Sequence, residues 1–164
     1  LYFTSNHSRG VGGHDIYVAA RDATTCAWAV ASMPDEFYSS RADAQLAVTP
    51  DGNRLFFYTY RQPKLGCVDI YTTTRDADGQ WGVPANLGAV VNTPGPDLGP
   101  GVSLDGETFY FSRDGQLMQL PLGAALRGSW PSRRLISTDI YCPTFSPCRS
   151  FWRDWPIRTW LASD

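Results

Sequence analysis

Two nearly identical phrases constrain this chain more than anything else in it. GGHDIYVAARD ends at Asp22 and GCVDIYTTTRD ends at Asp76, a spacing of 54 residues. A shift of that length brings further positions into coincidence. LYF at 1–3 falls on LFF at 55–57, and that falls on FYF at 109–111. Asp15, Ile16 and Tyr17 fall on Asp69, Ile70 and Tyr71, and Arg21 falls on Arg75. PDGNR from Pro50 meets LDGET from Leu104, while Trp28 and Trp81 match with a one-residue slip. Repetition at this period means that the chain is assembled from copies of one supersecondary unit.

The second copy shows what the unit is. QLAVT ends at Asp51-Gly52, a strong turn signal because glycine tolerates positive φ. RLFFYTY follows as an aromatic strand, and RQPKLG is a loop. VDIYTTT reads as a third strand, with Ile70 facing opposite to Asp69 and Tyr71. After the DADGQ turn, WGVPANL reads as a fourth strand, with Pro84 at an outer edge where a lost N–H is tolerated. Four antiparallel strands every ~50 residues describe a propeller blade. The expected fold is all-β, a partial β-propeller of about three four-stranded antiparallel blades with an irregular C-terminal tail. The repeats occupy residues 1–147, with blades at 1–34, 44–88 and 98–136 and a fourth beginning at 142–147. In the third copy the middle hairpin shortens to RDGQLMQLPL, and Trp130 takes the place of Trp81. Residues 148–164 carry no strand or helix period and are expected to be irregular.

Composition agrees with many short strands joined by turns: aromatics are 13% of the 164 residues, with 15 Gly and 12 Pro. The formal net charge of −2 offers no electrostatic case for nucleic acid or anionic lipid. No apolar run approaches the roughly 18–20 residues of a spanning helix. The chain opens directly on the strand-like LYFTS, as expected of a sequence cut from a longer one. Cys26, Cys67, Cys142 and Cys148 form no CxxC pair, which argues against zinc. A Cys142–Cys148 disulfide and unpaired buried thiols both fit the spacing.

These phrases resemble the WD-repeat-like β-propeller repeats of bacterial TolB-type and peptidoglycan-associated outer-membrane proteins. The resemblance rests on LYFTSNHSRGVGGHDIYVAARD, TPDGNRLFFYTYR, VDIYTTTR, WGVPANLG and VNT, and it covers about residues 1–147. It implies a propeller fold and a periplasmic or cell-envelope setting. Complete propellers have about four to eight blades, so either blades on another segment or self-association would close the ring. CPTFS, which includes Cys142, would alternatively supply an inner strand to the first blade.

The period also places Asp43 over Asp97, each just ahead of an inner strand, with Asp139 similarly ahead of CPTFS. Three carboxylates at one mouth of a central channel are candidate ligand-binding residues, for a cation or a basic group. Alternatively, each caps a local turn. Asp15, Tyr17, Trp28, Asp69, Tyr71 and Trp81 recur, so they are expected to build blades. Asp15 and Asp69 would bond a neighbouring strand or Arg21 and Arg75. A catalytic residue is needed once, whereas a blade-building residue is needed in every blade. His7 and His14 lack HExxH, RGVGGH lacks a following helix, and no Ser-His-Asp set can be assembled. No catalytic residue, metal site or cofactor is therefore assigned. The expected function is a non-catalytic binding or scaffold propeller that presents loops to a protein, peptide or glycan partner. The competing reading is a fragment of a propeller enzyme: a glycosidase, a lyase or a peptidase-associated propeller.

Overall fold

The computed structural model describes residues 1–8, 10–128 and 134–135. Three antiparallel sheets follow the 54-residue period. The first holds β1 (Tyr2–Ser5) and β2 (Asp15–Val18). The second is a four-stranded meander of β3 (Asp43–Val48), β4 (Arg54–Thr59), β5 (Asp69–Thr74) and β6 (Ala85–Asn86). The third repeats it with β7 (Asp97–Val102), β8 (Thr108–Arg113), β9 (Gln116–Pro121) and β10 (Arg134–Leu135).

The aromatic strand β4 shows why the sheets stack face to face. Successive side chains on a strand point to opposite faces, and every residue of β4 from Leu55 to Thr59 is buried. Leu55 and Phe57 join Ile16, Phe37, Tyr71 and Trp81 in a core shared with the first sheet. Phe56 and Tyr58 join Ile70, Phe109, Phe111 and Met118 in a core shared with the third. Phe56 meets Phe109 across that second interface with ring centroids 4.8 Å apart. Fully burying one such ring contributes about 1.5–3 kcal/mol. The two faces of β4 therefore join the three sheets into one stack.

The turns repeat as faithfully as the cores. Asp51 Oδ1 accepts from Thr49 Oγ1 and the Asn53 N–H, and Asp105 Oδ1 accepts from Ser103 Oγ and the Glu107 N–H. These bonds hold both carboxyls below the ordinary carboxylate range, the Thr49 and Ser103 hydroxyls contributing most. The shortened third hairpin turns on Asp114-Gly115 with φ of 49° and 77°, the two-residue geometry that Asp-Gly favours.

Each inner strand carries a bulge at the same place, where its register shifts between Ala44 and Ala47 and between Leu98 and Gly101. The bulge needs a left-handed residue. Gly99 fills that need at φ 58°, but its counterpart Gln45 sits at φ 47° with its side chain exposed. An L side chain in this region costs roughly 1 kcal/mol. Gln45→Gly should therefore raise the unfolding free energy by about 0.5–1 kcal/mol in urea denaturation. A loss of stability would mean that the Gln45 side chain does more than its exposure suggests.

Two elements depart from the reading of the sequence. The fourth strand expected over WGVPANL shrinks to Ala85–Asn86, with Trp81 contributing only an isolated bridge to Arg75. Pro84 lies between the two pieces and has no N–H to extend the ladder. The first sheet behaves alike: bridges Val18–Ser32 and Arg21–Trp28 stand where an outer strand would. A short helix, α1 (Leu122–Arg127), follows β9 and was not anticipated. Its Ala124 and Ala125 are buried, and Gly128 ends it in the left-handed conformation. Cys67 is disulfide-bonded, and Cys26 is a free, exposed thiol. The fourth repeat, the tail, Trp130, Cys142 and Cys148 lie outside the described residues. Among the described residues, no helix is long and apolar enough to cross a membrane.

Candidate functional site

Asp43 and Asp97 open β3 and β7, and both are fully buried. Asp43 Oδ1 and Oδ2 accept from Arg61 Nε at 3.1 Å and Nη2 at 2.8 Å, and Oδ2 also accepts from Ser39 Oγ at 2.9 Å. Arg61 Nη2 donates further to the Phe37 carbonyl at 2.8 Å. The third sheet repeats the set with Thr93 in the place of Ser39. Arg113 Nε donates to Asp97 Oδ1 at 3.0 Å and its Nη2 donates to the Val91 carbonyl. Thr93 donates its N–H at 2.6 Å and its hydroxyl at 2.9 Å to Asp97 Oδ2. Burial pushes the Asp97 carboxyl above its ordinary value, against these donors from Arg113 and Thr93. Each acid thus clamps an arginine that in turn holds the incoming connection between sheets. In the first sheet His7 follows β1 as Arg61 follows β4. Its N–H donates to Ser5 Oγ, as the Arg61 N–H does to Thr59 Oγ1. Asp139 lies outside the described residues.

Asp15 and Asp69 do a second repeated job; of the two expected partners, a neighbouring strand or Arg21 and Arg75, only the strand is met, at Asp69 through Asn86. The Asp15 carboxylate accepts the N–H groups of Val11 and Gly12, and Asp69 accepts those of Leu65 and Gly66. A buried acid therefore fixes the loop ahead of its own strand, with charge-assisted bonds to two backbone donors. The glycine in each loop is dictated by proximity. A Cβ at Gly12 would lie 2.0 Å from the Arg41 carbonyl oxygen, and one at Gly66 would lie 2.3 Å from that of Thr93. Asp69 Oδ2 also accepts from Asn86 Nδ2 at 2.7 Å, and Asn86 Oδ1 accepts from Asn92 Nδ2 at 2.8 Å. Asn92 is buried and caps β5 from the side. It accepts the Ile70 N–H at 2.8 Å and donates to the Ile70 carbonyl at 2.9 Å. Its amide thereby stands in for a neighbouring strand.

Arg21 and Arg75 pair instead with tryptophan. Arg75 lies over Trp81 at 4.8 Å and over Tyr2 at 6.0 Å, and it donates to the Tyr2 hydroxyl. Trp81 is buried between the first two sheets, edge-on to Tyr2 with centroids 5.8 Å apart. Arg21 lies over Trp28 at 5.9 Å, but Trp28 is 55% exposed. Tyr71 packs against Phe57 and is buried, while the equivalent Tyr17 packs against Phe3 and is partly exposed. The pairs match within each sheet. They differ because the first sheet covers Tyr71 and Trp81.

Several residues of these networks were missed in the sequence: Arg61, Arg113, Ser39, Thr93 and Asn92. A signal was present for four of them, because Ser39 and Thr93 each precede an aspartate by four residues, Arg61 follows the aromatic strand β4 and Arg113 ends the aromatic strand β8. Among the described residues, no group of three or more His, Cys, Asp or Glu side chains is arranged to hold a metal ion. What the loop end does offer is rigid backbone with apolar tips. Val11 is 52% exposed, and the equivalent Leu65 is 46% exposed.

No family model matches the sequence, and no curated protein matches it. Solved structures do. TolB from Acinetobacter baumannii superposes with a TM-score of 0.55 at 16% identity, over 87% of this chain and 31% of that one. An oligogalacturonate lyase solved in complex with manganese gives a TM-score of 0.38 at 19% identity, over 73% of this chain and 28% of that one. This chain therefore spans less than a third of the length of either structure. The likeness to TolB, together with three stacked antiparallel sheets, shows the fold: these residues form part of a TolB-like β-propeller.

Proposed function

We propose that this chain is a non-catalytic binding or scaffold propeller that presents the loops at its Asp43 and Asp97 end to a protein, peptide or glycan of the bacterial envelope. The observation that supports it is the fate of those two acids. Each is buried, bonded to an arginine and a hydroxyl, and repeated almost atom for atom in the next sheet. A group already paired in both four-stranded sheets serves assembly. To hold a cation, Asp43 and Asp97 would first have to release Arg61 and Arg113. The loops themselves suit contact, since Asp15 and Asp69 pre-organise the backbone beneath the exposed Val11 and Leu65. Pre-organisation lowers the entropy cost of binding.

The test is calorimetric titration of the chain against cell-wall glycans, polyuronates and envelope-derived peptides, with product analysis in parallel. The expected result is saturable binding without new products. Val11→Ser/Leu65→Ser should weaken it about tenfold, the loss of ~1.4 kcal/mol, at an unchanged melting temperature. Turnover that disappears in a folded Asp43→Asn variant would overturn the proposal in favour of a propeller enzyme.

A further inference from the structure

We infer that Asp78-Gly79 is a site of spontaneous covalent modification, where the folded chain converts aspartate to isoaspartate. Four Asp-Gly pairs occur, at Asp51, Asp78, Asp105 and Asp114. Each is chemically competent, because glycine puts no side chain between its amide nitrogen and the preceding carboxyl. The conformation of the glycine does not separate them, since φ runs only from 73° to 80°. The occupation of the carboxyl does.

The Asp51 and Asp105 carboxyls hold their own turns. Each accepts a hydroxyl and the N–H two residues on, and these bonds keep it away from the protonated form that cyclises. Asp114 is held otherwise. Its hairpin is clamped by the pairing of Arg113 with Gln116, and its carboxyl lies so close to Gly95 that a Cβ there would meet Oδ1 at 2.4 Å. In the remaining turn the holding is done by Asp76, whose Oδ1 accepts the N–H groups of Asp78 and Gln80. Asp22 does the same job one period earlier, for Thr24 and Thr25. Asp78 therefore stands in the place of Thr24 and has no carboxyl bond to make for the turn. Among the described residues, no hydrogen bond or ion pair occupies its carboxyl. Residues 76–80 are exposed throughout, whereas Gly52, Gly106 and Gly115 are only partly so.

The conversion needs no co-reactant but water. The Gly79 nitrogen attacks Cγ of the protonated Asp78 carboxyl and loses its proton, the carboxyl hydroxyl leaves as water, and a five-membered succinimide forms. Water then breaks one of the two carbonyl bonds to that nitrogen. Cleavage at the original backbone carbonyl leaves the chain running through Cγ, with one methylene added to the main chain and the mass unchanged. The addition falls in the turn between Arg75 and Trp81, which bridge to each other, and Trp81 is buried between the first two sheets.

Storage of the purified chain in warm neutral buffer, followed by peptide mapping with mass spectrometry, tests this. Isoaspartate should accumulate at Asp78 about tenfold faster than at Asp51, Asp105 or Asp114, a difference of ~1.4 kcal/mol in barrier. Storage in concentrated urea should level the four rates, because the preference belongs to the fold. Comparable rates in the folded chain, or a preference for Asp78 that survives in urea, overturns the inference. Asp78→Thr, the residue found one period earlier, should remove the fastest signal while the far-ultraviolet dichroism stays unchanged. An undiminished total yield of isoaspartate from that variant likewise overturns it. These outcomes are independent of ligand binding at the loop end.

Discussion

Asp97→Ala should lower the unfolding free energy by about 3–5 kcal/mol, the cost of removing one member of a buried ion pair. Arg113 is 8% exposed, so its guanidinium cannot turn to water without opening the core beside Phe111. The Thr93 N–H loses its acceptor at the same time. The equivalent Asp43→Ala should cost less, because Arg61 retains 14% exposure and can rehydrate in part. Urea denaturation of the two variants measures both effects. The double replacement Asp97→Ala/Arg113→Met should recover part of the loss, since removing both charges removes the desolvation problem. Equal and small losses at both positions would mean that the pairs contribute no more than surface contacts, which are worth about 0–1 kcal/mol.

Asn92→Ala should cost about 2–4 kcal/mol by the same measurement. The side chain satisfies the N–H of buried Ile70, shares the Ile70 carbonyl with the Leu87 N–H and also engages Asn86. Each buried polar group left without a partner costs about 1–3 kcal/mol. Hydrogen exchange should localise the damage: the Ile70 amide should lose protection first, while amides between β8 and β9 keep theirs. Asn92→Asp should also destabilise, because a carboxylate there cannot donate to the Ile70 carbonyl. Retained protection at Ile70 in Asn92→Ala would show that the backbone finds another partner.

Much of the fold was legible in the repeat. The strands β4, β5, β8 and β9 stand close to where the aromatic runs and Asp-Gly turns place them, because alternation and turn chemistry are local properties. The fourth strand was not legible. Trp81 and Val83 look like strand residues, but a strand needs a ladder, and Pro84 and Gly82 leave only two paired residues. The helix α1 was hidden for a similar reason: six residues make too short a window for a helical period to stand out.

The candidate site was legible in position but not in chemistry. The period placed Asp43 and Asp97 at equivalent strand entries, yet sequence spacing is silent on what faces a carboxylate. Arg61 lies 18 residues from Asp43, and Arg113 lies 16 from Asp97. Those partners are set by the pairing of β3 with β4 and β7 with β8. Likewise Asp15 and Asp69 were expected to bond a neighbouring strand or Arg21 and Arg75; loop backbone reaches both, Asp69 also bonds Asn86 of the neighbouring β6, and the arginines turn to tryptophan.

The amino-acid order alone determined that this chain is a row of copied antiparallel sheets, since period, alternation and turns are written along one dimension. Only the tertiary structure decided which face of each copy is covered, and hence why Trp81 is buried while Trp28 is exposed. The physical reason is that burial belongs to a pair of surfaces. Identical residues in successive repeats acquire different environments according to whether another sheet lies against them.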